Sequence, residues 1–178
     1  KAHIAQGEHV GNPDVIQHVP LFSFDKSDEN DKKRFVVGGW PELYKEILKR
    51  TKIGAAHFYE SLPPNAPLRL YFDLDFGTPD QTALERCTGN VIEAVKNVFP
   101  ELEATAYDPV ILDASHESKS SRHLVFSDIW LENMDAVGRS AAAVEAWCGK
   151  SHPTDCFDGN VSGIDRSVYT NFRLMRVW

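Results

Sequence analysis

Apolar and polar residues alternate in RLYFDLDFG, which puts Leu70, Phe72, Leu74 and Phe76 on one side of a predicted strand and Arg69, Tyr71, Asp73 and Asp75 on the other. A second alternating run, SRHLVFSD, separates Ser121, His123 and Val125 from Arg122, Leu124 and Phe126. Near the start, VIQHVPLFSF and RFVVGG predict two strands joined by the charged loop DKSDENDKK. PELYKEILKRTK predicts a short helix ending near Gly54, with Pro in its first turn and Leu43, Ile47 and Leu48 at helical spacing. HFYES and AYDPVILDAS read as strands, and residues 81–99 as a helix on Leu84, Val91, Ile92, Val95 and Val98. MDAVGRSAAAVEAWCGK reads as a helix with Asn133 or Asp135 at its N-terminus and Gly149 near its end, and SGIDRSVYTNFRLMRVW as strand. The order βαβ, ββ, α, β predicts an α/β or α+β domain, a mixed sheet with helices packed on it.

Composition bounds this picture. The 178 residues are 42% hydrophobic and 25% charged, enough for one good core or two small lobes. No apolar stretch approaches the roughly 18 residues that a spanning helix needs, so no membrane partner is expected. Cys87, Cys148 and Cys156 are too few and too odd a set for a disulfide framework, which predicts a reducing, intracellular setting. The chain opens on Lys1 and stops inside the apolar run RLMRVW, so it is expected to be a piece of something longer.

Charge changes the picture when it is located. The formal net charge of −7 argues against a protein that coats nucleic acid generally. The deficit, however, is local: residues 61–118 hold 3 basic and 10 acidic side chains, while both flanking stretches are balanced. Residues 32–52 hold 7 basic and 2 acidic side chains, and residues 166–178 hold 3 basic and none acidic. An acidic centre lies between cationic segments.

That centre contains Asp73 and Asp75, two carboxylates roughly 6 to 7 Å apart at Cα on one strand face. Such a pair is costly to keep ionised without a cation, although an ordinary solvated strand face is the simpler alternative. FDLDFGT also resembles the D-x-D-G-T nucleophile motif of haloacid-dehalogenase-like phosphatases, but Phe76 interrupts it and no late acidic pair follows. Ser121 and His123 could both donate to phosphate oxygens, with Lys119 supplying charge beside them. Asp165 comes later, followed by Asn171 and Arg173. Three carboxylates and a phosphate cradle are the components of two-metal nucleotidyl transfer. Cys148, His152 and Cys156 mimic metal-ligand spacing, but they lack a fourth ligand and Pro153 breaks the helix, so no zinc site is expected.

In motif order, the chain resembles the catalytic core of the archaeo-eukaryotic primase superfamily, above all its primase-polymerase branch. The likeness runs from about Phe35 to Arg173 and is most specific in HFYESLPPNAPLRLYFDLDF, DASHESKSSRHLVF and IDRSVYTNFRL. It implies that Asp73, Asp75 and Asp165 are catalytic and hold two Mg²⁺ or Mn²⁺ ions, although members often carry Glu where Asp75 stands. Lys119, Ser121, His123, Asn171 and Arg173 would bind the nucleotide, and Tyr71 and Tyr169 would neighbour its sugar. Alternation puts Arg122 on the opposite face, in a structural role. Between Tyr169 and Asn171 the chain is shorter than the animal members and lacks a basic residue found there.

The implied fold is one domain over residues 1–178: an N-terminal αβ lobe to about residue 65, then a catalytic lobe on an RNA-recognition-motif-like sheet. The zinc-binding module that normally follows this core is absent from the chain. The implied activity is DNA-directed priming and primer extension from dNTPs or NTPs on a single-stranded template. A repair or translesion polymerase that only extends primers, and a non-catalytic nucleic-acid-binding relative, are the alternatives. Template contacts would fall to Lys33, Arg34, Lys45 and Lys49, with a solvated helix face as the alternative for the last two. A single-strand-binding protein or helicase could be reached through regions outside the chain. The implied location is nucleus, mitochondrion, or a prokaryotic or viral replication site.

Overall fold

In a computed structural model, residues 21–25, 33–37, 39–51, 58–158, 161–171 and 173–177 are described. They form strands β1 (Leu21–Asp25) and β2 (Lys33–Val37), helix α1 (Trp40–Thr51), and strands β3 (Phe58–Ser61) and β4 (Leu68–Phe76). Helix α2 (Gln81–Val98), strands β5 (Val110–Asp113) and β6 (Ser120–Leu131), and helix α3 (Met134–Ser151) follow. A short ribbon of β7 (Phe157–Asp158) and β8 (Val161–Ser162) precedes the final strand, β9 (Leu174–Val177). Short 3-10 turns cover Ala104–Tyr107 and Arg166–Val168. The expected strand start at residues 15–20, the charged loop at 26–32 and the helix end at Gly54 lie outside the described residues.

The described residues fall into two compact units: Pro67–Thr170, and the described parts of Gln6–Ala66 together with Asn171–Trp178. The second unit is a four-stranded sheet in the order β2-β1-β3-β9. All its pairings are antiparallel. Although β9 follows β4–β6 in the chain, it pairs with β3, and Leu62 N–H donates to the Arg173 carbonyl where that pairing begins. The last segment is not one strand: Ser162 ends β8, Ile164 forms a single bridge, and the chain turns at Arg166–Val168 before Leu174–Val177 resumes as strand. On α1, Leu43 is fully buried and Ile47 half-buried. Leu48, expected on the same apolar side, is exposed, since its position lies beside the stripe that Leu43 and Ile47 share four residues apart.

The first unit carries the order β-α-β-β-α-β if the short bridge at Ile164 is taken as its last strand. The sheet runs β4-β6-β5, and Ile164 bridges Leu74 on the free edge of β4. This is a ferredoxin-like split βαβ arrangement. The α+β class holds. The sheets are antiparallel in every described pairing rather than mixed, because hairpins and strand returns, not βαβ crossovers between neighbours, supply the adjacent strands.

Alternation makes one face of this sheet apolar. Leu70, Phe72, Leu74, Leu124 and Phe126 are fully buried, Phe76 nearly so, and Phe72 meets Phe126 edge-on at 5.9 Å. Leu84, Val91 and Val95 of α2 and Val137, Ala141 and Val144 of α3 complete that core. Each such Leu, Val or Phe contributes about 1.5 to 3 kcal/mol of burial. Both helices start at a side-chain cap: Asp80 accepts from Ala83 N–H at 2.8 Å, and Asn133 from Ala136 N–H at 2.9 Å. The second cap falls on Asn133, and α3 runs through Gly149 to Ser151.

Arg122 lies on the helix face, as alternation requires. Its guanidinium donates to Glu85 Oε2 at 2.7 Å and Thr88 Oγ1 at 3.0 Å on α2. Arg69 keeps the alternation, exposed between buried Leu68 and Leu70, although the register with β6 slips between Arg69 and Leu70; its guanidinium sits over the Trp130 ring at 4.8 Å.

Gly163 sets how closely the chain returns to β4. A Cβ there would lie 2.6 to 3.2 Å from three atoms of the buried Phe76 ring. Gly163→Ala is expected to destabilise the protein by about 1 to 3 kcal/mol in urea unfolding. Combined with Phe76→Leu, the loss should be smaller than the sum of the two single losses; strict additivity would show that the ring is not the obstacle.

Candidate functional site

On the other face of β4 and β6, side chains stand in cross-strand rows. Asp73 is opposite His123, Asp75 opposite Ser121, and Tyr71 opposite Val125. The antiparallel bridge between Leu74 and Ile164 adds a third position to the Asp73 and Asp75 rows, Asp165 beside Asp73 and Gly163 beside Asp75. Two backbone bonds hold it: Asp165 N–H donates to the Asp73 carbonyl at 2.8 Å, and Asp75 N–H donates to the Gly163 carbonyl at 2.8 Å. Residues about ninety positions apart thus become register neighbours, and the three sequence-predicted acids share one corner of the sheet.

Each acid already has a partner. His123 Nε2 lies 3.4 Å from Asp73 Oδ1, both side chains being mostly covered. Lys119 Nζ donates to Asp75 Oδ2 at 2.7 Å. Asp165 caps the following 3-10 turn, with Oδ1 accepting from Ser167 N–H at 2.8 Å and Oδ2 from Ser167 Oγ at 3.0 Å. Among the described residues, no three His, Cys, Asp or Glu side chains are already arranged around a single metal position. The carboxylates would have to turn from Lys119 and Ser167 to share an ion.

Asp73 is the strained member. Burial raises its pKa above the usual carboxylate range, the nearby His123 opposes that rise, and the Asp165 and Asp75 carboxylates add to it. Its Oδ1 is buried and accepts no hydrogen bond. A buried, crowded acceptor is unfavourable for the protein alone and favourable for a cation.

Lys119 is placed by a tight hairpin. His116 N–H donates to the Lys119 carbonyl at 3.0 Å, Lys119 N–H returns to the His116 carbonyl at 3.2 Å, and Ser120 N–H reaches the Thr78 carbonyl at 3.3 Å. Ser115 Oγ accepts from Ser121 N–H at 3.0 Å, closing the same turn. Ser121 itself is only 3% exposed, which makes it a floor residue more than an open donor.

Tyr71 and Tyr169, named from the sequence as sugar neighbours, tie the Asp165 turn to β4. Tyr71 is buried, and its hydroxyl donates to the Val168 carbonyl at 3.1 Å. Tyr169 Oη donates back to the Tyr71 carbonyl at 3.0 Å, and the rings are 5.3 Å apart. Burial, reinforced by Tyr71, pushes the Tyr169 phenol well above its usual range, so it stays protonated and remains a donor. Together the two tyrosines clamp the Asp165 turn to β4. Ser167 and this pair were missed as positioning residues; the D-x-S spacing of an Asx-type turn was the available signal for Ser167, whereas nothing local marks the tyrosine contact.

The remaining expected residues lie in the second unit. Asn171 is exposed and Arg173 half-buried, just before β9. Lys33 and Arg34 open β2, in register with Asp25 and Phe24. Lys45 and Lys49 are exposed on α1, one turn apart. The Cys148 and Cys156 thiols lie against each other in the interior, whereas His152 turns to acidic neighbours. The Cys148 thiol faces the Asn90 carbonyl and the Cys156 thiol the Cys87 carbonyl, each at 3.7 Å, while His152 ring nitrogens lie 3.7 Å from Glu93 and 3.9 Å from Asp155. All three cysteines are free and buried. No described helix is long and apolar enough to cross a membrane.

A ferredoxin-like α+β unit with three acids, a histidine and a lysine on its open face is what fold and site define. Comparison with known proteins points the same way. The chain is 28% identical over 116 residues to the DNA-directed primase/polymerase protein of Gallus gallus, covering 62% of this chain and 20% of that protein. It is 30% identical over 115 residues to that of Homo sapiens, covering 62% and 20%. It is 30% identical over 132 residues to that of Danio rerio, covering 70% and 24%. The likeness to the primase-polymerase branch seen in the motifs therefore holds, and the chain spans about a fifth to a quarter of the length of these relatives. No family model matches the chain.

Asp73→Asn removes the crowded charge at nearly constant size. In buffer with EDTA it should raise the melting temperature at neutral pH. Because the folded protein takes up this proton more readily than the unfolded chain, wild-type stability recovers as pH falls through the raised pKa, and the advantage of the variant should shrink with it. An advantage that stays constant down to the ordinary carboxylate range would contradict this account.

Proposed function

We propose that the chain is the catalytic core of a DNA-directed primase-polymerase, a nucleotidyltransferase that makes and extends primers on single-stranded DNA. The observation that carries this reading is the corner where Asp165 is bridged to β4 beside Asp73, with Asp75, His123 and Lys119 on the same face. The primase/polymerase names of the relatives support it.

Three carboxylates suit hard divalent cations such as Mg²⁺ or Mn²⁺, and the orphaned, buried Oδ1 of Asp73 is an acceptor that such a cation would satisfy. Bound there by Asp73, Asp75 and Asp165, two ions would supply activation of the attacking 3′-hydroxyl and charge neutralisation at the triphosphate. The protein's own groups do the positioning. His123, next to Asp73, donates to a phosphate oxygen, and Lys119 at the rim supplies a mobile positive charge. Ser121 shapes the floor, and Ser167 with Tyr71 and Tyr169 keeps Asp165 aimed at the same corner. Asn171 and Arg173 are assigned to the nucleotide by the motif match, and Lys33, Arg34, Lys45 and Lys49 to the template.

Template-dependent dNTP incorporation by Asp73→Ala, Asp75→Ala and Asp165→Ala should fall by more than the roughly 10- to 100-fold that loss of an outer-shell partner costs. Retained activity in all three sinks the reading. Synthesis on an unprimed circular template separates priming from extension alone. Reversing the charge of Lys45 and Lys49 together should weaken template binding and flatten its dependence on salt, and an unchanged slope would remove α1 from the template surface.

A further inference from the structure

We propose that Lys119 is a resident cation that occupies Asp75 until a triphosphate draws it away, so that divalent metal and nucleotide enter the acid corner together rather than separately. The inference rests on the metal-site reading above and adds an order of binding to it.

Of the three acids, Asp75 alone is held by the full positive charge of a lysine. Lys119 Nζ lies 2.7 Å from Asp75 Oδ2, whereas Asp165 is held by the neutral donors of Ser167 and Asp73 by the ring of His123. An ammonium at that distance occupies a carboxylate oxygen that Asp75 would otherwise offer a divalent ion. The two cations would repel each other strongly across so short a gap. One must leave before the other can bind.

The local construction says which part can move. The Lys119 backbone is locked by the paired bonds with His116, and the next residue is tied to Thr78. The side chain is a flexible four-carbon stem whose charged end is about one-third exposed, as is the Asp75 carboxylate. A swing of the side chain alone therefore opens Asp75 without disturbing the sheet. A metal ion arriving alone must displace the ammonium from Asp75 and leave it without an anionic partner, which subtracts from what the metal gains. A triphosphate changes that balance, because its oxygens accept the ammonium as the metal takes the carboxylate. Lys119 thereby links the two ligands: each is bound better in the presence of the other.

The test is the binding of Mn²⁺ to the chain, read from the free-ion signal in electron paramagnetic resonance, with and without a non-hydrolysable deoxynucleoside triphosphate analogue. Wild-type protein should bind Mn²⁺ weakly alone and markedly better with the analogue. Lys119→Met should tighten Mn²⁺ binding in the absence of nucleotide by about tenfold, the scale on which neighbouring groups tune metal sites. It should also reduce the gain brought by the analogue. Lys119→Arg should keep wild-type behaviour. In the Asp75→Asn background, Lys119→Met should change Mn²⁺ affinity little, which separates a specific lock from a general field effect. Circular dichroism checks that each variant is folded, and Lys119→Gln provides a second neutral replacement. If neither neutral variant tightens Mn²⁺ while Asp73→Ala abolishes its binding, the lock is wrong and the metal site stands. If Asp73→Ala binds Mn²⁺ as wild type does even with the analogue present, the metal-site reading fails and the lock with it.

Discussion

Two backbone hydrogen bonds decide whether this protein has a site at all. They join Asp73 and Asp75 in the middle of one strand to Gly163 and Asp165 in a segment that is hardly a strand, a single bridge followed by a 3-10 turn. Without them Asp165 would be a capping residue at the surface. With them it becomes the register neighbour of Asp73. Much of the surrounding construction serves this short contact: Gly163 allows the close approach over Phe76, Gly163 N–H is anchored to the Cys156 carbonyl at 2.7 Å, and the reciprocal Tyr71 and Tyr169 hydroxyl bonds pin the following turn.

The same contact carries an electrostatic cost. Bringing a third carboxylate beside Asp73 raises the free energy of its ionised form, which burial has already raised. His123, Lys119 and Ser167 offset this cost, one partner for each acid. For Asp73 the offset is incomplete, since its Oδ1 lacks a hydrogen bond. Instability concentrated in one corner of an otherwise well-packed unit is the usual sign of a place built for a ligand.

Much of the site was legible because strand alternation is a local rule. From residue 70 onward in β4 and along the first half of β6, alternate positions separate core from chemistry, which paired Asp73 with His123 and Asp75 with Ser121 on one face and sent Arg122 to the other. The rule failed where a non-local event intervened. β9 joined β3 rather than the sheet of β4 and β6, and on α1 the helical spacing failed for Leu48, which fell beside the apolar stripe. Tyr71 obeyed the alternation yet turned out buried, because a turn almost a hundred residues later folds over it.

By itself, the sequence determined the elements, the two faces of the central strand pair, and the identity and order of the chemistry-bearing residues. These follow from side-chain periodicity and short-range hydrogen bonding, which a single segment already contains. Tertiary structure alone decided that Asp165 sits beside Asp73, that Lys119 rests on Asp75, and that the two tyrosines clamp the Asp165 turn to β4. Each of those depends on which strand edge a distant segment finds and on how closely one glycine lets it approach. Such choices are settled by packing of the whole unit, for which no local pattern in the chain is a substitute.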